Sequence, residues 1–302
     1  MNPLESGFLL LTSQLGDPER KPLTVAQLRN LATRVRSGKK QIVDKDLGEE
    51  DLIALGYSHE MAERILSLLQ DGEVLEYYLA KGRRSQCVPL TRAGQSYPVR
   101  VRKSLGEESP GCLWAKGDVS LLETPKISLV GSRELSQDNQ EFAYEVGRQA
   151  AMQGYTLVSG NARGADKTAQ EACLKAGGSV ICVVADQLEK HKQRQRVLYL
   201  SEDGFDCAFS SVRALSRNRV IHSLSPVTFV AQASLRTGGS WSGAVKNLGC
   251  HWSGVCCFDD GTQAALELAA MGAQLVRAED LRDIHTLITQ NYDLLMDQSV
   301  LY

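Results

Sequence analysis

The spacing of apolar residues changes character along the chain. Up to about residue 84 they recur at helical intervals, and each run is bounded by start and stop signals. TVAQLRNLATRVRSG stops on Gly38, DLGEEDLIALG carries its acidic residues early and stops on Gly56, and SHEMAERILSLLQDG opens on Ser58 as a cap. Carboxylates near helix starts complement the positive end of the helix dipole. From Lys126 the pattern becomes short β-branched runs alternating with helical segments. ISLVGSR precedes DNQEFAYEVGRQAAMQG, in which Asp138 lies near the start and Gly154 at the end; YTLVSG precedes GADKTAQEACLKAGG; and SVICVVA precedes the polar, basic QLEKHKQRQR. DCAFS, a short helix around RNRVIHSLS, the strand VTFVAQ, a helix around SGAVKNLG, the strand GVCCF, the helix TQAALELAAMG and AQLVR follow. Strands that alternate with helices predict βαβ units, hence a doubly wound, mainly parallel α/β sheet. The expected division is a small helical module over 1–84 and an α/β domain over 85–302.

A chain of 302 residues has room for one sizeable core and a smaller unit, and 43% apolar with 23% charged residues is ordinary for a globular protein. The net charge of −2 excludes a protein coated in positive potential, so any nucleic-acid contact has to come from a local basic patch. The opening MNPLESGFLLLTSQ has no basic region and only a short apolar run, and no later stretch approaches about 18 uninterrupted apolar residues. A cytoplasmic protein with no membrane partner is expected. Of the eight cysteines, Cys173, Cys182, Cys256 and Cys257 fall within apolar patterns and no CxxC spacing occurs, which reads as buried thiols behaving as small hydrophobes.

Three strand ends stop on small, flexible residues: Gly131-Ser132-Arg133 after Val130, Ser159-Gly160-Asn161-Ala162-Arg163-Gly164 after Val158, and Arg236-Thr237-Gly238-Gly239-Ser240. In an open parallel sheet the carboxyl ends of the strands open onto one crevice, where backbone N–H groups and helix N-termini favour an anion. One glycine turn alone is most simply a tight connection. Three of them, each with an arginine at hand, predict a phosphate-holding cleft to which Arg133, Arg163, Arg217 and Arg219 bring two-pronged donors and Lys167 and Lys246 bring point charges. Neither GxGxxG nor GxxxxGK[ST] occurs, so no nucleotide cofactor is expected and dinucleotide redox or ATPase chemistry loses support.

No catalytic constellation stands out. Ser132, Ser159 and Ser240 lack a sequence partner that marks a nucleophile, and the five histidines show no metal spacing. His222 is read first as a packed or capping residue, and Asp166, in the first turn of a helix, as a dipole-stabilising one.

Taken in order, the Tyr97-Pro98 pair, CLWAKGDVSLLETPKISLVGSR, SGNARGADKTA, SRNRVIHSLS and RTGGSWSGA resemble the DNA-processing family DprA, also called Smf, over nearly the whole chain. The helical DLIALGYSHEMAERILSLL is similar, more weakly, to the family's N-terminal SAM-like module. The resemblance implies a Rossmann-like fold, a basic pocket for single-stranded DNA, a homodimer, and protection of incoming single strands with loading of RecA during natural transformation. It implies that Gly131, Ser132 and Arg133 hold the DNA backbone, with Arg163, Lys167, Arg217 and Arg219 lining the same pocket. With Ser159, Gly160, Gly164, Asn218, Gly238, Gly239, Ser240 and Lys246 these make up the expected phosphate-binding set. Asn161, Ala165, Gln170 and Gln232 depart from the residues usual at those positions, and Trp241 interrupts the small turn. No winged-helix tail is expected, since only LRDIHTLITQNYDLLMD follows the last strand.

The alternative is an enzyme or sensor for a nucleotide-derived small molecule. A phosphoribohydrolase would want a GGxGTxxE turn, and TGGSWSGAVKN supplies no carboxylate. The run Lys190, His191, Lys192, Arg194 and Arg196 favours a long polyanion by a small increment, because a small-molecule site has little use for charge outside its pocket.

Overall fold

The computed structural model describes residues 1–37 and 47–299, with side chains to residue 291; the Gly38 stop lies outside the described residues. Before residue 85 lie α1 (Pro3–Thr12), α2 (Val25–Ser37), α3 (Glu49–Ala54), α4 (His59–Gln70) and α5 (Gly72–Arg84); α2, α3 and α4 are the three helices read from the sequence, and α1 and α5 are additional to them. Ser58 caps α4 as its sequence predicts, its Oγ accepting from the Met61 N–H at 3.3 Å. Gly56 ends α3 at φ +85°, a conformation open to glycine because it has no Cβ. Leu23, Leu31, Leu52, Ala62, Ile65 and Leu68 close a small core of their own. Leu9 and Leu10 of α1 and Leu75 and Tyr78 of α5 instead bury themselves against Trp114 and Phe205 of the large core.

The remaining strands are β1 (Val88–Thr91), β2 (Cys112–Gly117), β3 (Lys126–Val130), β4 (Thr156–Ser159), β5 (Val180–Val184), β6 (Val197–Ser201), β7 (Val227–Val230), β8 (Gly254–Phe258) and β9 (Gln274–Val276). They form one sheet ordered β1-β2-β6-β5-β4-β3-β7-β8-β9. The run from β6 to β9 is parallel, while β1 and β2 join it antiparallel, Trp114 facing Ser201. The fold is the doubly wound, mostly parallel Rossmann-like α/β sheet that the patterning predicts. The antiparallel pair and β6 are additional to the predicted strands.

Both faces of the sheet are covered, so β5 is apolar at every position. Val180, Cys182 and Val184 enter one core with α7 (Gln137–Met152), α8 (Ala165–Lys175) and α13 (Ile284–Ser299). Ile181 and Val183 enter the other, with α6 (Val99–Leu105), α10 (Asn218–Ser223), α11 (Gly238–Cys250) and α12 (Gln263–Ala270). The short α9 (Ser211–Ser216) leads into α10. Strand succession moves outward from β3 through β4 and β5 to β6, then returns to place β7 on the other side of β3. The carboxyl ends of β3 and β7 therefore diverge, which leaves a crevice at the point where ligands settle in open α/β sheets.

Candidate functional site

Three turns interlock at that crevice. The Ser132 N–H donates to the Gln232 carbonyl after β7 at 3.0 Å, and the Ala165 N–H at the head of α8 donates to the Ser132 carbonyl at 3.1 Å. Gly131 has no Cβ because one would come within 2.5 Å of the Ala165 Cβ; Gly164, at φ +79°, likewise lies against the carbonyls of Ser132 and Arg133. The close approach of α8 to the β3 turn thus requires two of the glycines that mark the sequence.

The resulting cleft has a volume of about 730 Å³. One wall is Gly131, Ser132, Arg133 and Glu134; a second is Ala162, Arg163 and Asp166; a third is Thr237, Gly238, Gly239 and Ser240 at the start of α11; and α9 with the head of α10 closes it through Ala214, Leu215, Arg217 and Asn218. The Thr237 side chain does not cap α11, and that helix has no acidic residue in its first turn, so its positive end is turned to the cleft uncompensated. Arg133 is exposed and has no carboxylate within ion-pair distance among the described residues. Arg163 pairs with Glu134 at 3.2 Å, both side chains more than 70% exposed, a contact weak enough to yield to a phosphate.

Arg217 is set differently. Its guanidinium fills the place a Cβ on Gly160 would take and donates to the Val183 carbonyl at the end of β5. Burial lowers its pKa, and Asp166 opposes the shift. Burial in turn raises the pKa of Asp166, against the pull of Arg217 and of the Ala162 and Gly160 N–H groups, the first of which donates at 3.0 Å. Asp166 therefore fastens the β4 turn to α8. Arg217 lines the cleft floor while holding β4 and β5 in place.

Of the expected set, Gly131, Ser132, Arg133, Arg163, Arg217, Asn218, Gly238, Gly239 and Ser240 come together around the cleft. Ser159, Gly160 and Gly164 lie beneath or behind it; Ser159 is fully buried, its Oγ accepting from Gln170 Nε2. Lys167 points outward from α8. Two members are directed elsewhere. Arg219 follows Arg217 by two residues, which turns it to another face of the helix, where its guanidinium pairs with Glu202. Lys246 stands over the Trp252 ring at 5.5 Å, two turns along α11 from the cleft. His222 is wholly buried, its Nδ1 within 3.2 Å of both Thr228 Oγ1 and Asn247 Nδ2, so it is a packed residue.

The rim carries residues that motif reasoning missed. Phe209 and Leu215 line the cleft with more than half of each side chain exposed. Arg213 holds their loop, donating at 2.8 Å to the carbonyls of Ala185, Cys207 and Ala208 and pairing with Asp203 at 2.7 Å. No motif marked the rim residues: Phe209 is one of two phenylalanines in the segment between Ser201 and the RNR motif, and the other, Phe205, is a core residue.

The departures also find their places. Asn161 takes φ +60°, a conformation asparagine tolerates better than a branched or bulky residue. Gln232 accepts from the Ser136 N–H at 3.1 Å, tying the β7 and β3 turns together. Trp241 is buried in the second core and leaves the cleft free.

Fold and site together define a doubly wound α/β protein with an arginine-walled cleft at its topological switch point. Residues 89–284 match the family described as DNA recombination-mediator protein A. The chain belongs to this DprA/Smf family. It is 33% identical over 141 residues to DNA processing protein DprA of Streptococcus pneumoniae, covering 43% of this chain and 50% of that one. It is 30% identical over 194 residues to DprA of Bacillus subtilis, covering 58% and 64%. The matches thus span about half to two-thirds of these relatives' length. Among solved structures, S. pneumoniae DprA superposes with a TM-score of 0.67 at 22% identity over 86% of this chain and 97% of that one, a likeness of fold. DNA processing protein A of Helicobacter pylori, a structure described for its single-stranded DNA binding mode, gives 0.56 at 25% identity over 68% and 97%. Among the described residues no helix is long and apolar enough to cross a membrane.

Proposed function

We propose that this chain binds single-stranded DNA in the cleft between the β3, β4 and β7 turns, phosphates meeting Arg133, Arg163 and the head of α11 while bases stack on Phe209. The observation that carries the reading is the combination, in one open crevice, of two exposed arginines, an uncapped helix N-terminus and an exposed aromatic ring. Charge alone would serve any anion. An aromatic platform beside it serves a strand whose bases are unpaired, and such binding is tolerant of sequence. Membership of the DprA/Smf family supports the same reading, and by that likeness the protein acts in the cytoplasm as a homodimer that shields incoming strands and loads RecA. We assign residues 1–84 to a helical unit docked on the Rossmann-like body of 85–302.

The test is fluorescence anisotropy of a labelled single-stranded oligonucleotide across a salt series, with a duplex of equal length as competitor. Salt-sensitive binding that the duplex fails to compete is the expected result. Absence of binding at low salt would overturn the reading in favour of a small nucleotide-derived ligand.

A further inference from the structure

The connection from β5 to β6 is a polar loop whose charge the cleft does not use. It leaves Val184 at the same sheet edge as the cleft turns, since β5 runs parallel to β4. Its first residue is tied to the cleft wall, the Ala185 carbonyl accepting from Arg213 of α9. From there it passes over β6 and β2, where Leu188 is buried in the core and the Glu189 carbonyl accepts from Lys116 Nζ of β2 at 2.7 Å. It ends at the opposite edge, where Arg196 donates to the Gly177 carbonyl at 2.8 Å. The loop is braced along the way: His191 stacks on Tyr199 at 4.8 Å between ring centres and meets Asp186 at 2.8 Å. Arg196 turns the chain at φ +60°.

Lys190, Lys192, Arg194 and Arg196 are all exposed, and none has a carboxylate within ion-pair distance among the described residues. Lys167, projecting from α8 just behind the cleft, continues the row. Burial pushes the Cys182 thiol of β5 up to about 12, and Lys167 and Arg194 are both near enough to pull it back. Lys167 of the helix and Arg194 of the loop therefore both lie close to the middle of β5.

We infer that a single strand seated in the cleft continues past Lys167 and down the β5–β6 connection, so that Lys190, Lys192 and Arg194 form a second, non-specific backbone track. The inference rests on the single-strand reading of the cleft. A track of cations without carboxylate partners on a braced loop neutralises phosphates without ordering new structure, and it adds affinity only for strands long enough to leave the cleft.

The test compares the full chain with a Lys190→Ala, Lys192→Ala, Arg194→Ala triple variant on single strands of about six and about twenty nucleotides. The shorter strand fills the cleft alone. The triple variant is expected to bind it within two-fold of the parent, to bind the longer strand about ten-fold more weakly, and to lose about 2 from the salt slope, about 0.7 per phosphate contact. Equal affinity of parent and variant for the longer strand overturns the track while leaving the cleft intact. Equal weakening on both lengths also overturns it, since general attraction would then explain the effect. Failure of the parent to bind either strand overturns the cleft reading itself. Matching thermal unfolding of parent and variant verifies that the exposed substitutions leave the fold alone.

Discussion

Arg133 and Arg163 reach the same cleft with little to hold them, one without a carboxylate partner and the other in an exposed ion pair. Arg133→Ala and Arg163→Ala are each expected to weaken single-strand binding by about 1.5–3 kcal/mol, the range for hydrogen bonds to charged groups, with unfolding unchanged. Unchanged affinity in both would remove the proposed site. Phe209→Ala tests the stacking side of the same reading. Because the ring is mostly exposed, stability should hold while anisotropy records a loss of about 1–3 kcal/mol that is insensitive to salt. His222 gives a prediction of another kind. Burial lowers its pKa from 6.5 to about 3, so the folded protein keeps it neutral while the unfolded chain takes up a proton below about 6.5. Stability should therefore fall as pH drops from about 6.5 towards 3, by up to about 1.4 kcal/mol per pH unit from this residue. Urea unfolding at pH 7 and pH 5 should show about 2 kcal/mol of this loss, and a His222→Gln variant should lack it.

At the scale of elements, the cleft is a meeting of turns, and one of its walls is α9 with the loop before it. Ser210 caps α9 through the Arg213 N–H at 3.1 Å, and the Arg213 guanidinium then gathers the loop carbonyls around itself. Arg213→Ala leaves those carbonyls without their charged donor and should cost about 2–3 kcal/mol in urea unfolding. It should also weaken single-strand binding, because Phe209 loses its support although Arg213 itself faces away from the cleft. The strands and helices around the cleft were legible from their periodicity and from the glycines at their ends. β6 was not: VLYLS directly follows the basic run QLEKHKQRQR, which hid its start, although Asp203-Gly204 marks a turn after it. β1 and β2 escaped because an antiparallel edge pair interrupts the βαβ rhythm. Arg217 and Arg219 show the limit of motif reading, since two residues along a helix turn one guanidinium into the cleft floor and the other towards Glu202.

For the molecule as a whole, the proposed division at residue 84 crosses a shared core. Leu9, Leu10, Leu75 and Tyr78 lie in the same cluster as Trp114 and Phe205, and Tyr78 donates to Asp206 at 2.6 Å while Lys81 pairs with it at 2.7 Å. A fragment of residues 85–302 should therefore expose Trp114 and Phe205, unfold at a clearly lower temperature than the full chain, and tend to aggregate; thermal denaturation followed by light scattering checks this. By itself the sequence determined the βαβ order, the burial of the sheet on both faces and the three glycine turns, because each is written in local periodicity and in residues of special backbone freedom. Only the tertiary structure decided which cations meet in the cleft, that Phe209 stands at its rim, and that α1 and α5 belong to the large core. Those outcomes depend on contacts between residues far apart in the chain, and no local pattern encodes them.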